Sequence, residues 1–389
     1  ITLKAANEIS DRIKAAFGMR ELIIYLGKFG INGETAVLVW KKLGNRAITE
    51  IEENPYILCS EGIYVPFEVA DRIAVDKKFP SDSRYRVTAS IVYVLNHNRR
   101  NGHTCLPEEK LAATAASFIS VEKETAQSAL DDMVQQGEII RTIINDEAFI
   151  YTPSLFQSET YIAARINMIM SFPIPPAQDL ESKIKEVEES QGFEYAELQK
   201  TAIRTALQGG MLILTGGPGT GKTTTLNGII KILKSMGEKV SLTAPTGRAA
   251  RRMTELTGCE AKTIHRLLEV AWNDEDRPVF KRNERNMLSC DTLIVDEVSM
   301  VDAVLFESVM RALPMGCRLI LVGDTDQLPS VGAGNILSDL IESKAVPVVA
   351  LTEIFRQSMQ SLIVTNAHKI VKGEMPEISV KDNDFFFMP

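Results

Sequence analysis

The spacing of apolar residues changes character several times along this 389-residue chain. Up to about Ser83, short segments of helical period are broken by glycine. Gly27, Gly30 and Gly33 punctuate Tyr25–Gly44, and Gly62 marks a turn before a helix predicted from Phe67. From Arg84 to Phe156 the pattern predicts helices over Arg84–Arg100, Pro107–Ala116 and Val121–Gln136. Two strands follow, Ile139–Ile144 and Ala148–Thr152, around an Asn-Asp turn. Prolines mark Phe172–Ser190 as a linker that ends in a charged helix. From Gln191 onward, apolar strands alternate with helical stretches, which predicts a parallel sheet with crossover helices. The expected fold class is therefore multidomain, with mainly α domains over residues 1–83 and 84–156. A linker and helix over 157–190, an α/β domain over 191–350 and the start of a further domain over 351–389 complete it.

Composition narrows the class without reaching a function. Hydrophobic content of 45% and charged content of 24% are those of a globular protein. No apolar run reaches the length of about 18 residues that a membrane helix needs. The formal net charge of −8 argues against coating nucleic acid by bulk charge but leaves room for a local basic track. Cys59, Cys105, Cys259, Cys290 and Cys317 lie far apart in sequence, without a CxxC pair or a histidine at ligand spacing. They predict buried small residues in a reducing, cytoplasmic compartment. The chain opens ITLKAANEIS and stops at DNDFFFMP. Both ends read as cut, and a longer parent protein is expected.

Chemistry enters with GGPGTGKT, which fits G-x-x-x-x-G-K-[ST] between a predicted strand, Met211–Leu214, and a helix. In such a P-loop, here Gly216, Gly217, Pro218, Gly219, Thr220 and Gly221, the glycines let backbone N–H groups close around phosphates. Lys222 reaches the β and γ oxygens, Thr223 supplies a hydroxyl to Mg2+, and Thr224 adjoins them. The expected ligands are ATP and Mg2+. TLIVDEVSM, Thr292–Met300, is a strand ending in two carboxylates. Asp296 is placed to hold Mg2+, and Glu297 to orient and deprotonate the attacking water. A water-activating base argues against a kinase. In LILVGDTDQLPSVGAGN, Leu319–Asn335, Gln327 is placed to touch both the γ-phosphate and that water.

Two further strand ends carry a different chemistry. SLTAPTGRAARRM, Ser241–Met253, presents Thr243, Pro245 and Thr246, then a basic cluster of Arg248, Arg251 and Arg252. AKTIHRLL, Ala261–Leu268, offers Thr263, His265 and Arg266. Hydroxyls, a helix N-terminus and a few cations suit a phosphodiester backbone better than a small substrate. Thr243, Pro245, Thr246, Arg248, Thr263, His265 and Arg266 are therefore the expected DNA contacts, although His265 alone would read as structural. A small hairpin is predicted near 268–283, with Trp272 and Phe280 either stacking on a base or packing against the domain. Packing is the favoured alternative. The N-terminal glycine turns permit helix-hairpin-helix units that hold DNA phosphates, or a small bundle with glycine C-caps. The predicted helix Val121–Gln136 carries Glu122, Glu124, Asp131 and Asp132, a poor phosphate surface, so a winged-helix-like spacer is expected.

In their order, GGPGTGKT, TAPTGRAA, TIHRLL, VDEVSM, GDTDQLPSVGAG and IFRQ resemble the superfamily 1 helicases. They look most like the RecD-like ATP-dependent DNA helicases, relatives of the exodeoxyribonuclease V alpha chain, over about Gly192–Pro376. The resemblance implies a RecA-like motor domain behind helix-hairpin-helix and winged-helix-like domains. It implies 5′→3′ movement on single-stranded or partly duplex DNA, with repair or recombination proteins as partners, no membrane, and a bacterial-type, nucleoid-associated location. It also implies that Gln199 holds adenine and that Arg356 of IFRQ is an arginine finger, for which the plain alternative is a salt bridge. The hairpin matches the family's strand-separating pin. Most of a second motor domain is expected to be missing, leaving a fragment that binds nucleotide without efficient turnover. Two rival readings stay open: a subunit of a helicase–nuclease complex, and a nucleotide-gated DNA scaffold, against which Glu297 argues.

Overall fold

The computed structural model describes residues 16–60, 62–175, 179–272, 278–355, 360–380 and 383–385. The described residues divide at Phe156 into two compact units.

Glycine sets the turns of the first unit. Residues 16–27 are helical, and the chain reverses through Gly30 at φ 79°. Asn32 then caps the helix Gly33–Leu43 by accepting from the Thr35 N–H at 2.8 Å. The second turn passes Gly62 before the helix Phe67–Asp76. Leu22, Leu26, Val39, Ile51, Leu58 and Ile73 close the core between them. Helices Arg84–Arg99, Glu108–Ile119 and Lys123–Gln135 enclose a second core around Ile91, Leu111, Leu130 and Met133. Strands β1 (Cys105–Pro107), β2 (Ile140–Ile144) and β3 (Glu147–Tyr151) complete a winged-helix-like arrangement in the antiparallel order β1-β3-β2. Asn145 and Asp146 turn the β2–β3 hairpin, both at positive φ, as a two-residue loop requires.

The second unit is built on a parallel sheet. Its strands are β4 (Met211–Gly216), β5 (Val240–Ala244), β6 (Ala261–Thr263), β9 (Thr292–Val295), β10 (Arg318–Gly323) and β11 (Val348–Leu351). They lie in the order β11-β4-β10-β9-β5-β6, every neighbouring pair parallel. Alternation along each strand feeds two cores. Met211 and Ile213 face one layer with Leu293, Val295 and Phe306, while Leu212 and Leu214 face the other with Ile203, Ile229 and Leu233. A two-stranded hairpin, β7 (Val270–Trp272) and β8 (Pro278–Phe280), stands outside the sheet.

Ahead of the proline-marked segment Phe172–Ser190, within the span expected as linker and helix, residues 157–171 continue the helix Pro153–Ser171. Ile162, Ile166 and Ile169 share one face of it and are buried in the sheet's core. No described helix is long and apolar enough to cross a membrane.

Candidate active site

Strands β4, β10 and β9 are neighbours, so the loops leaving their carboxyl ends open on one crevice. That crevice is a cavity of about 940 Å3 lined by the P-loop, Asp296, Glu297, Asp324 and Gln327. The P-loop joins the end of β4 to the helix Lys222–Ser235. Three of its glycines, Gly216 among them, cannot be replaced without movement. A Cβ on Gly217 would stand 2.6 Å from the His368 ring, and Gly221, at φ 85°, would place one 2.5 Å from Gln199 Nε2.

Lys222 folds back on this loop. Its Nζ donates to the carbonyls of Gly216 and, at 3.0 Å, Gly217. Burial pushes its ammonium pKa down, against the opposing pull of Asp324, Glu297 and Asp296. Asp296 moves the other way. Burial first, then the charge of Glu297, raises its carboxyl to about 6. One Asp296 oxygen accepts the Glu297 N–H at 2.9 Å, and the other has no partner among the described residues. Glu297 itself sits at φ 54°, a left-handed conformation that costs a non-glycine residue about 1–2 kcal/mol. Backbone strain of this kind concentrates at functional sites.

Gln199 is buried at the first turn of the helix Glu197–Gln208. Its Oε1 accepts the Ala196 N–H at 3.0 Å, and its Nε2 donates to the Gly221 carbonyl at 3.4 Å. The amide thus ties its helix to the P-loop and keeps one donor and one acceptor site for a ligand. Phe193 and Glu194 line the same part of the chain's approach to the cavity. Thr223 and Asp296 supply one hydroxyl and one carboxylate, a donor set that suits Mg2+ with water and phosphate oxygens filling the remaining positions. Arg356 lies outside the described residues.

Sequence reasoning missed several lining residues. Asp324, buried at the end of β10, bonds the Asp326 N–H at 3.0 Å and is the leading charge acting on Lys222. A polar residue ending an apolar strand was the available signal. Arg252, grouped in sequence with a DNA-side cluster, lines the nucleotide cavity. Phe355, Ile363 and Val364 also line it. His368 Nε2 donates to the Pro218 carbonyl at 3.0 Å from the helix Leu362–Val371. These contacts depend on how the chain returns after β11, which no local spacing reveals.

The residues expected to contact DNA separate into two groups. Thr243 is fully buried, its hydroxyl donating to the Lys262 carbonyl at 2.9 Å. It is a structural bond between β5 and β6, and the expectation of a DNA contact there is corrected. Thr246 and Thr263 instead cap the helices that follow β5 and β6, accepting from Ala249 N–H and Arg266 N–H at 3.2 Å each. Ala244 and Thr263 are register partners, so the two capped turns leave neighbouring strand ends. Pro245 is half-buried in the first of these turns, while Arg248, His265 and Arg266 are exposed. In the hairpin, Phe280 packs against the core with the His265 ring 5.7 Å away, as expected, whereas Trp272 is 68% exposed.

A parallel sheet with a P-loop and a strand-end carboxylate pair defines a P-loop nucleotide-binding domain, and the AAA domain family profile matches residues 199–333. The profile of the ATP-dependent RecD2 DNA helicase HHH domain matches residues 15–105, which carries the helical hairpin region past residue 83. The chain is 33% identical over 368 residues to the ATP-dependent RecD2 DNA helicase of Deinococcus radiodurans, covering 92% of this chain and 50% of that protein. It is 37% identical over 197 residues to the RecBCD enzyme subunit RecD of Mycolicibacterium smegmatis, covering 44% and 35%. A solved Pif1 helicase from Candida albicans aligns at 24% identity and a TM-score of 0.33, covering 47% of this chain and 45% of that one. Over most of its length the chain is similar to the RecD/RecD2-like helicases. It spans half the length of the first of these relatives and about a third of the second.

Proposed function

We propose that this chain carries the ATP-hydrolysing part of a DNA helicase that works in repair or recombination and moves 5′→3′ on single-stranded DNA. The observation that carries the reading is the meeting of Lys222, Asp296, Glu297 and Gln327 around one cavity at neighbouring strand ends. In it, Lys222 leaves the loop carbonyls for the β and γ oxygens, and Gln199 orients the base. Glu297 takes the proton of the attacking water while Gln327 holds that water against the γ-phosphate. Thr223 and Asp296 would hold Mg2+, which when bound draws charge from the phosphoryl oxygens. Thr246, Arg248, Thr263, His265 and Arg266 hold the DNA backbone at the adjacent strand ends, and Arg356 acts as the arginine finger. Substrate, direction and pathway rest on the likeness to the RecD2 helicase and RecD subunits.

The test is steady-state ATP hydrolysis by the protein, with and without single-stranded DNA, for the wild type and Glu297→Gln. Hydrolysis stimulated by DNA is expected, falling about 100-fold or more in the variant, since a positioned general base contributes at least that much. Mg-ATP binding by the variant should persist. A Glu297→Gln protein that hydrolyses ATP like the wild type would remove the assigned base. Unwinding of duplexes with 5′ or 3′ tails decides the direction.

A further inference from the structure

The helix Gly247–Thr257 begins at the DNA-side end of β5 and runs along the nucleotide cavity. Ala249, Arg252, Met253 and Leu256 all line that cavity, and their spacing is one face of a helix. Arg251 points elsewhere and is paired with Glu255 at 2.9 Å. Arg252 has no ion-pair partner among the described residues. Its positive charge acts on both Lys222 and Asp296, the two groups that mark the phosphate and Mg2+ positions. An unpaired guanidinium therefore faces a cavity whose expected ligand is a polyanion, and it is a planar, multidentate donor suited to phosphate oxygens.

We propose that Arg252 is a nucleotide-binding residue whose guanidinium takes a phosphate oxygen of Mg-ATP. The helix that starts at the DNA-side cap Thr246 then also grips the nucleotide, which gives the two ligands one rigid element in common. The inference rests on the nucleotide-site reading above and names a residue that reading does not include.

The test is equilibrium binding of a fluorescent ATP analogue with Mg2+ to this chain, alongside single-stranded DNA binding without nucleotide. Arg252→Ala should weaken nucleotide binding roughly 10- to 100-fold, the loss expected for a charge-assisted hydrogen bond. Arg252→Lys should recover part of that, and Arg251→Ala should bind as the wild type does. DNA affinity without nucleotide should not change in Arg252→Ala. Wild-type nucleotide affinity in Arg252→Ala, or a loss confined to DNA binding, overturns the proposal. Arg252→Gln, which keeps most of the aliphatic stem, supplies the same readout if the alanine variant does not fold. Lys222→Ala separates the two levels. If it binds nucleotide normally, the site reading has failed, and if it alone loses binding, only Arg252 has been misassigned.

Discussion

At the amino-terminal end of the parallel sheet, Arg318 opens β10 and is almost fully buried. Its Nη1 donates to both Glu238 oxygens, at 2.7 and 2.8 Å, and to Thr292 Oγ1 at 3.2 Å, while its Nε reaches the Gly209 carbonyl at 3.2 Å. At the carboxyl end of the same strands, Lys222, Arg252, Asp296, Glu297 and Asp324 gather around a cavity, and no salt bridge joins any of them among the described residues. Burial lowers the lysine's pKa and raises that of Asp296. One end has its charges closed by the fold. The other keeps charges without ion-pair partners, Lys222 and Asp296 among them desolvated, for a ligand to complete, which is how a site differs from a structural ion pair.

The largest effects should come from removing one charge at each end. Lys222→Met should reduce Mg-ATP affinity by about 100-fold or more, because at least two charge-assisted contacts to phosphate are lost. The ligand-free Tm should hold or rise, since a desolvated charge has gone. Arg318→Met should do the reverse. It strands Glu238, which is partly exposed, so the expected loss is about 2–4 kcal/mol of stability, with nucleotide affinity intact. Glu238→Leu added to Arg318→Met should return much of it. Thermal melts and nucleotide titrations of both variants check the contrast. A Lys222→Met protein that melts well below the wild type would break it.

A smaller effect follows from the Asp296 carboxyl at about 6. Its folded pKa lies above the unfolded value of about 3.9, so the folded protein binds more protons between those limits. The contribution of this group to stability is present below the lower value and is lost as pH rises toward about 6. It should amount to something on the order of 3 kcal/mol. Mg2+ takes the ionised carboxylate, so Mg-dependent nucleotide affinity should rise with pH and level off above about 6. The Tm difference between wild type and Asp296→Asn, followed from pH 4 to pH 7 or so, isolates the group. A flat difference would mean that Asp296 is solvated like an ordinary surface carboxylate.

What could be read in the sequence was local. The P-loop, the Asp296–Glu297 pair and the Gln327 turn each occupy one strand end, and the glycines at 30 and 62 sit at real turns. That the sheet is parallel was legible because the strand and helix patterns alternate. The remainder depended on direction. Pro173 and Pro175 drew attention to a linker, although the apolar face of Ile162, Ile166 and Ile169 preceded it. Arg252 and Arg248 look alike in sequence, and only the helix's placement turns one of them to the cavity. The return of His368 onto Pro218 spans 150 residues, beyond the reach of any periodicity.

Thr243 shows why strand parity was the weakest guide. In a strand buried on both faces, alternation does not say which side chains reach a surface, so a threonine near the strand end looked like a DNA contact. Its carbonyl accepts the Asp296 N–H at 2.9 Å and its hydroxyl reaches Lys262, so it bridges β9 and β6 from within the sheet. By that argument it belongs with Arg318 among the groups the fold has closed. Thr243→Val keeps the shape and removes one bond, leaving the Lys262 carbonyl short of a donor. The expected cost is about 1 kcal/mol, seen as a Tm lower by a few degrees, with single-stranded DNA affinity unchanged. A variant with an unchanged Tm and a tenfold weaker hold on DNA would return Thr243 to the interface and move the line between the closed and open ends of the sheet.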